Sequence, residues 1–290
     1  MNKTGVSFKS IEIDGLKIFY REAGMPGKPT ILLLHGFPSS SRMYQNLMNE
    51  LSGQYHLIAP DYPGFGQSSA PDTDHYQYTF DNLAATVTRF IDKLGLKQFS
   101  LYMQDYGGPV GLRIATARPA AIQSLIIQNA NAYTEGLGAA LAPLSDYMQH
   151  PNAETEKAVR GFLTLAATQW QYTDGASDLS KINPDSYITD QYYLDRKGND
   201  LIQLALFRNY ITNLALYETW HAYFRKYKPA TLVISGKNDQ LFTAPGAEAF
   251  KKDNPDAQIH LLNGGHFALE EHYEHAAIII LQFLQGNAIR

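Results

Sequence analysis

Three residues able to carry nucleophilic or acid–base chemistry each follow a short apolar run. Asp105 comes after FSLYMQ in the turn Asp105-Tyr106-Gly107-Gly108, Asp239 ends TLVISGKND, and His266 lies in NGGHF after QIHLL. A carboxylate is a good nucleophile at saturated carbon, where displacement leaves an alkyl ester. A histidine held by a second carboxylate can deprotonate water, which then attacks the ester carbonyl and releases an alcohol. No serine stands at the tip of QDYGGPVG, so serine-esterase chemistry is not expected there. The chain has no cysteine, which removes thiolate catalysis, disulfides and cysteine zinc sites. Taken singly, each residue has a plainer reading: a turn former or helix cap for Asp105, a surface turn for Asp239, a buried structural imidazole for His266. The coincidence of all three at strand ends is what favours chemistry. His260, inside QIHLL, is the weaker histidine, and His35, in HGFP, reads as structural or pocket-lining rather than catalytic.

These residues share a site only if the runs are strands of one sheet. SFKSIEID and LKIFYREA alternate and are separated by Asp14-Gly15, a hairpin signal. Thr30 to His35, His56 to Asp61, Phe99 to Gln104, Ser124 to Ala130, Thr231 to Ser235 and Gln258 to Leu262 read as strands, several of them the continuous apolar runs of a parallel sheet. Helical spacing links them: Leu83, Val87, Phe90 and Leu94, with Thr79 as N-cap and Gly95 past the C-terminus; a helix opening near Gly108; one around Ala247 to Lys252; and a last one through Ala277, Ile280, Leu281 and Leu284. The alternation predicts an α/β fold with a doubly wound, mostly parallel sheet, whose ligands bind beyond the carboxyl ends of the strands. QDYGGPVG follows a strand and opens a helix, the setting of a strained nucleophile turn. Met103, two residues before Asp105, is larger than the small residue usual there, which leaves strain to be absorbed. The core is expected at 1–131 and 229–290. Residues 132–228, crowded with tyrosines and without buried-strand patterns, are expected to form an inserted helical cap.

The bulk properties set outer limits. The 290 residues suffice for one large core with an insertion, and 44% hydrophobic with 18% charged residues is ordinary for a globular chain. A formal charge of −4 offers no basic field for nucleic acid or an anionic membrane. MNKTGVSFKSIEIDG lacks an apolar signal-peptide core, and AAIIILQFL is too short to span a bilayer, so a cytoplasmic location is the expectation. The expected partners are a small apolar organic substrate and water, with no cofactor, metal, nucleic acid or membrane, in a monomer or homodimer.

The motifs HGFP, DYPGFGQS, QDYGG, GKNDQLF and GGHFALEE, spread over nearly the whole core, resemble those of the haloalkane dehalogenase and epoxide hydrolase branch of the α/β-hydrolases. The resemblance implies Asp105 as nucleophile, His266 as base, Asp239 as its orienting acid, and an oxyanion hole from the backbone N–H groups of Phe37 and Tyr106. Some dehalogenases take the acid from just after the strand ending at Gln128; Asn129-Ala130-Asn131 holds no carboxylate, so Asp239 keeps the role. Haloalkane dehalogenases generally cradle the halide with an indole N–H after the nucleophile and often an Asn after His-Gly, where this chain has Tyr106 and Phe37. Fluoroacetate dehalogenases use arginines soon after the nucleophile, and here those positions are Tyr106 and Pro109. Epoxide hydrolases place two cap tyrosines on the opening ring oxygen. QWQYTDG and LFRNYITN resemble those segments and imply Tyr172 and Tyr210, with Trp170 and His35 as further substrate-binding candidates and Tyr187, Tyr193 and Tyr217 as substitutes. Epoxide hydrolysis is therefore the leading expectation and dehalogenation the alternative. Two other classes are a non-catalytic ligand-binding homologue and a cofactor-independent dioxygenase resting on the His-Asp pair alone.

Overall fold

A computed structural model describes residues 5–287 and 289; the first four residues of the N-terminal stretch read above lie outside it. Ser7–Ile13 (β1) and Leu16–Ala23 (β2) form the expected hairpin, turning through Asp14 and Gly15 at φ 50° and 79°. Two left-handed residues give a two-residue turn the twist its strands need. Thr30–Leu34 (β3), His56–Pro60 (β4), Phe99–Gln104 (β5), Ile122–Gln128 (β6), Thr231–Gly236 (β7) and Gln258–Leu262 (β8) complete one sheet. Its order is β1-β2-β4-β3-β5-β6-β7-β8, with β2 antiparallel to β1 and β4 and the remaining pairs parallel. The mostly parallel α/β sheet expected from the sequence is thus observed.

Alternate strand residues face opposite layers. Leu32 and Leu34 pack with the layer containing the Phe80–Lys93 and Gly107–Ala117 helices, while Ile31 and Leu33 pack with the layer of the Gln45–Leu51 and Ala268–Gly286 helices. Thr79 caps its helix as expected, its hydroxyl accepting the Asn82 N–H at 3.1 Å. Strand ends differ slightly from the sequence reading. β6 stops at Gln128 because Asn129 turns out of it at φ 42°, and β4 stops at Pro60 because Asp61 turns to accept the N–H groups of Ser41 and Gln67.

Between β6 and β7 the described residues form helices, from Ala142–Gln149 through Leu165–Thr173 and Asn199–Asn209 to Tyr217–Tyr227, and no strand among them. Arginines tie this segment to the sheet layers. Arg113 donates to Thr212 and Asn213, Arg196 to the carbonyls of Gly64 and Gly66, and Arg42 to Tyr172 and Ser186.

Candidate active site

β5 ends at Gln104 and the next helix begins at Gly107, so Asp105 sits at the tip of a sharp turn with φ 48°. A non-glycine residue in that conformation stores about 1–3 kcal/mol, held by its surroundings. Asp105 N–H donates to the Asn129 carbonyl at 3.1 Å, and the Asp105 carbonyl accepts the Gly108 N–H at 2.9 Å. Close approach makes two neighbours glycine: a Cβ on Gly107 would lie 2.0 Å from the Leu34 oxygen, and one on Gly36 2.3 Å from the Asp105 Cβ. The strain expected from Met103 is relieved by Gly111, whose missing Cβ would lie 2.4 Å from the Met103 sulfur.

The turn brings the three expected residues together. Asp105 Oδ1 accepts the Phe37 N–H at 2.6 Å, and the Tyr106 N–H also bonds this carboxylate. His266 Nε2 stands 3.9 Å from Asp105 Oδ2, while His266 Nδ1 is 2.9 Å from Asp239 Oδ2. Asp239 is fixed in turn: the Leu241 and Phe242 N–H groups reach its Oδ1 at 2.8 and 3.1 Å, and Asn129 Nδ2 reaches its Oδ2 at 2.8 Å. Carboxylate oxygens are acceptors, so Asp239 selects the tautomer with the proton on Nδ1 and leaves Nε2 free to take one. Burial pushes the Asp105 carboxyl up to about 6, against the pull of His266 and of the two N–H donors. Burial would lower His266, but the charge and hydrogen bond of Asp239, with Asp105 behind them, hold it above its usual 6.5. A buried carboxylate, an oriented base and two N–H groups on that carboxylate can perform nucleophilic displacement followed by ester hydrolysis.

Asp105 opens onto a narrow apolar cavity. Phe37 and Tyr106 line it from the core, Leu141, Leu144, Phe162, Gln171, Phe207 and Tyr210 from the helical segment, and Leu241 and Phe242 from the loop after β7. Space for a water-sized molecule amounts to about 30 Å³, so a bulky substrate would have to displace the helical wall.

The α/β-hydrolase fold model matches residues 29–273, most of the chain. The chain belongs to the α/β-hydrolase fold family. It is 40% identical to the uncharacterized hydrolase YNR064C of Saccharomyces cerevisiae over 285 residues, 97% of this chain and 98% of that one. Mouse epoxide hydrolase 4 is 36% identical over 119 residues, covering 41% of this hydrolase and 33% of its relative. The crystal structure of haloalkane dehalogenase DbeA from Bradyrhizobium elkani superposes with a TM-score of 0.83 over 98% of this chain and 99% of that one, at 22% identity, a likeness of fold.

Three of the substrate-binding candidates stand outside the lining of this cavity. Tyr172 does not line the cavity. Its hydroxyl donates to Asp190 Oδ2 at 2.5 Å and accepts from Arg42 at 3.2 Å, and its ring stacks on Phe267 at 3.9 Å. Trp170 is half-buried away from the cavity on the same helix. His35 is fully buried beneath Tyr62 and Phe65, where Nε2 accepts the Tyr62 N–H at 3.2 Å and burial lowers its pKa to about 4. Helix phase explains the first two: in Gln-Trp-Gln-Tyr the cavity side belongs to Gln171. Tyr210 does line the cavity, and its hydroxyl makes no hydrogen bond among the described residues. Sequence reasoning missed Gln171, and it passed over Asn129 as lacking a carboxylate when its amide grips Asp239. The polar residue directly after a buried strand was the signal for Asn129. Gln104 was also missed; its amide nitrogen lies 3.4 Å from His266 Nε2.

Proposed function

We propose that the protein opens small apolar epoxides through an alkyl ester on Asp105, which His266-activated water then hydrolyses. The observation that carries this is the division of labour on one buried carboxylate at the cavity: Oδ1 gripped by Phe37 N–H at 2.6 Å, and Oδ2 3.9 Å from His266. Oδ2 attacks a ring carbon, the C–O bond breaks, and its electron pair stays on the departing oxygen. Tyr210 donates a hydrogen bond to that oxygen and then its proton. Burial holds the Tyr210 phenol well above its ordinary value, so it remains a neutral donor across the working range.

Hydrolysis needs the base. His266 takes a proton from water, and the hydroxide attacks the Asp105 carboxyl carbon. Charge collects on Oδ1, where fixed N–H donors are each worth about 3 kcal/mol. Collapse breaks the ester bond, the leaving alkoxide takes the proton from His266, and the acid left on Asp105 returns its proton to the Tyr210 phenolate. Epoxide and water have become a diol. The helical segment 132–228 acts as a cap that keeps bulk water from this sequence.

Support for oxygen as the leaving atom comes from the Tyr210 hydroxyl on the cavity wall, which has no hydrogen-bond partner among the described residues, and from the relative named as an epoxide hydrolase. A turnover screen of wild type beside Asp105→Ala, following diol from terminal and aryl epoxides and halide from bromo- and chloroalkanes, tests the reading. Diol formation lost in the variant is the expected outcome. Halide release without diol would move the assignment to dehalogenation, and turnover surviving in Asp105→Ala would remove the covalent mechanism.

A further inference from the structure

With Tyr172 turned away, Tyr210 and Tyr106 are the tyrosines on the cavity wall, the Tyr106 hydroxyl buried without a partner, and Gln171 is the polar side chain that the helix of Tyr172 contributes to it. Gln171 is buried, 2% exposed, and lines the same cavity as Asp105 and Tyr210. Its amide nitrogen is buried without a hydrogen-bond partner, and its carbonyl oxygen has none either among the described residues. A buried amide left unpaired carries its full desolvation penalty, which a bound oxygen would relieve. The two ends of the amide exchange by rotation of its last torsion, so an N–H can be turned into the cavity. The neighbouring Gln191 side chain shows the contrast, being paired with Thr168, Leu163 and Asp195.

We propose that Gln171 donates an N–H to the oxygen that leaves carbon in the first step, and so sets the preference of this site for substrates with a basic oxygen leaving group. The inference rests on the Asp105 epoxide reading. Attack by Asp105 Oδ2 places a full electron pair on that oxygen. Its proton comes from Tyr210, and Gln171 stabilises the charge beforehand without transferring a proton. An alkoxide gathers far more charge demand than bromide, a weakly basic leaving group that departs with little help. Loss of the Gln171 donor therefore penalises epoxides selectively.

The test measures alkyl-enzyme formation by rapid-quench intact-protein mass spectrometry in a His266→Gln background, where the ester persists. Phenyloxirane and a bromoalkane of similar size serve as probes, and Gln171→Met and Gln171→Leu are compared with the Gln171 parent. The expected result is epoxide alkylation slowed about 10- to 100-fold, against less than about 3-fold for the bromoalkane, whose retained reactivity shows a folded site. Equal slowing of both probes in both variants would make Gln171 a packing residue, and unchanged epoxide rates would give it no part; either overturns the proposal. Absence of any adduct in the parent with both probes would instead sink the Asp105 reading itself, and this inference with it.

Discussion

Replacing Asp105 by Asn should stabilise the protein while abolishing turnover. The Asp105 carboxyl rises from an ordinary 3.8 to about 6 on folding, chiefly through burial. About two pKa units at 1.36 kcal/mol each mean that keeping the carboxylate ionised costs the folded state about 3 kcal/mol. The sign follows from the raised folded pKa: the folded protein binds this proton more tightly, a stabilisation present below 3.8 and lost as pH rises through about 6. At pH 8 the wild type carries the whole penalty and Asn carries none. Asn also tolerates the left-handed turn and keeps an oxygen for the Phe37 N–H, so little else changes. Denaturant unfolding at pH 8 should show the variant about 3 kcal/mol more stable, with a Tm higher by on the order of 5–10 °C. The advantage should shrink towards zero by pH 4. No gain at pH 8, or the same gain at both pH values, would refute the claim that burial strains this carboxylate.

The two chemical steps should separate by pH. Formation of the alkyl ester needs ionised Asp105 and should fall as pH drops through about 6, whereas ester hydrolysis needs neutral His266 and should quicken as pH rises past 6.5; rapid-quench mass spectrometry resolves both, and formation unaffected down to pH 4.5 would contradict the first. Tyr210→Phe should slow epoxide opening about 100-fold with unchanged unfolding midpoint. Tyr172→Phe should do the reverse, lowering stability by about 1–3 kcal/mol by stripping a partner from buried Asp190 and Arg42 while single-turnover opening stays within a few fold.

Much of this architecture was legible because period and punctuation agree along the chain. β3, β5 and β7 are continuous apolar runs buried throughout, and each ends on residues that cannot continue a strand. That geometry carried Asp105, Asp239 and His266 to one rim from three separated stretches. The helical segment between β6 and β7 was less readable for a physical reason. Tyrosine packs, hydrogen-bonds or faces a ligand equally well, so Tyr172 and Tyr210 are indistinguishable by type, and only the pitch of a helix inside an irregular bundle separates them. Trp170, Gln171 and Tyr172 are consecutive, and helical rotation gives the cavity to the middle one. Asn129 was passed over for another reason: its value lies in holding Asp239, a residue far along the sequence. The burial that raises Asp105, likewise, depends on walls contributed by Leu141, Phe162 and Phe207, none of which announces itself locally.

The covalent ester on Asp105 is tested most directly by a single turnover in ¹⁸O-water with enzyme in excess over an epoxide. The ester route takes the new product oxygen from the Asp105 carboxylate and leaves the solvent oxygen on the enzyme. The first-turnover diol should therefore be unlabelled, and the peptide containing Asp105 should gain one ¹⁸O. A labelled diol with an unlabelled Asp105 peptide would mean that water attacks the substrate itself, and Asp105 would not be the nucleophile.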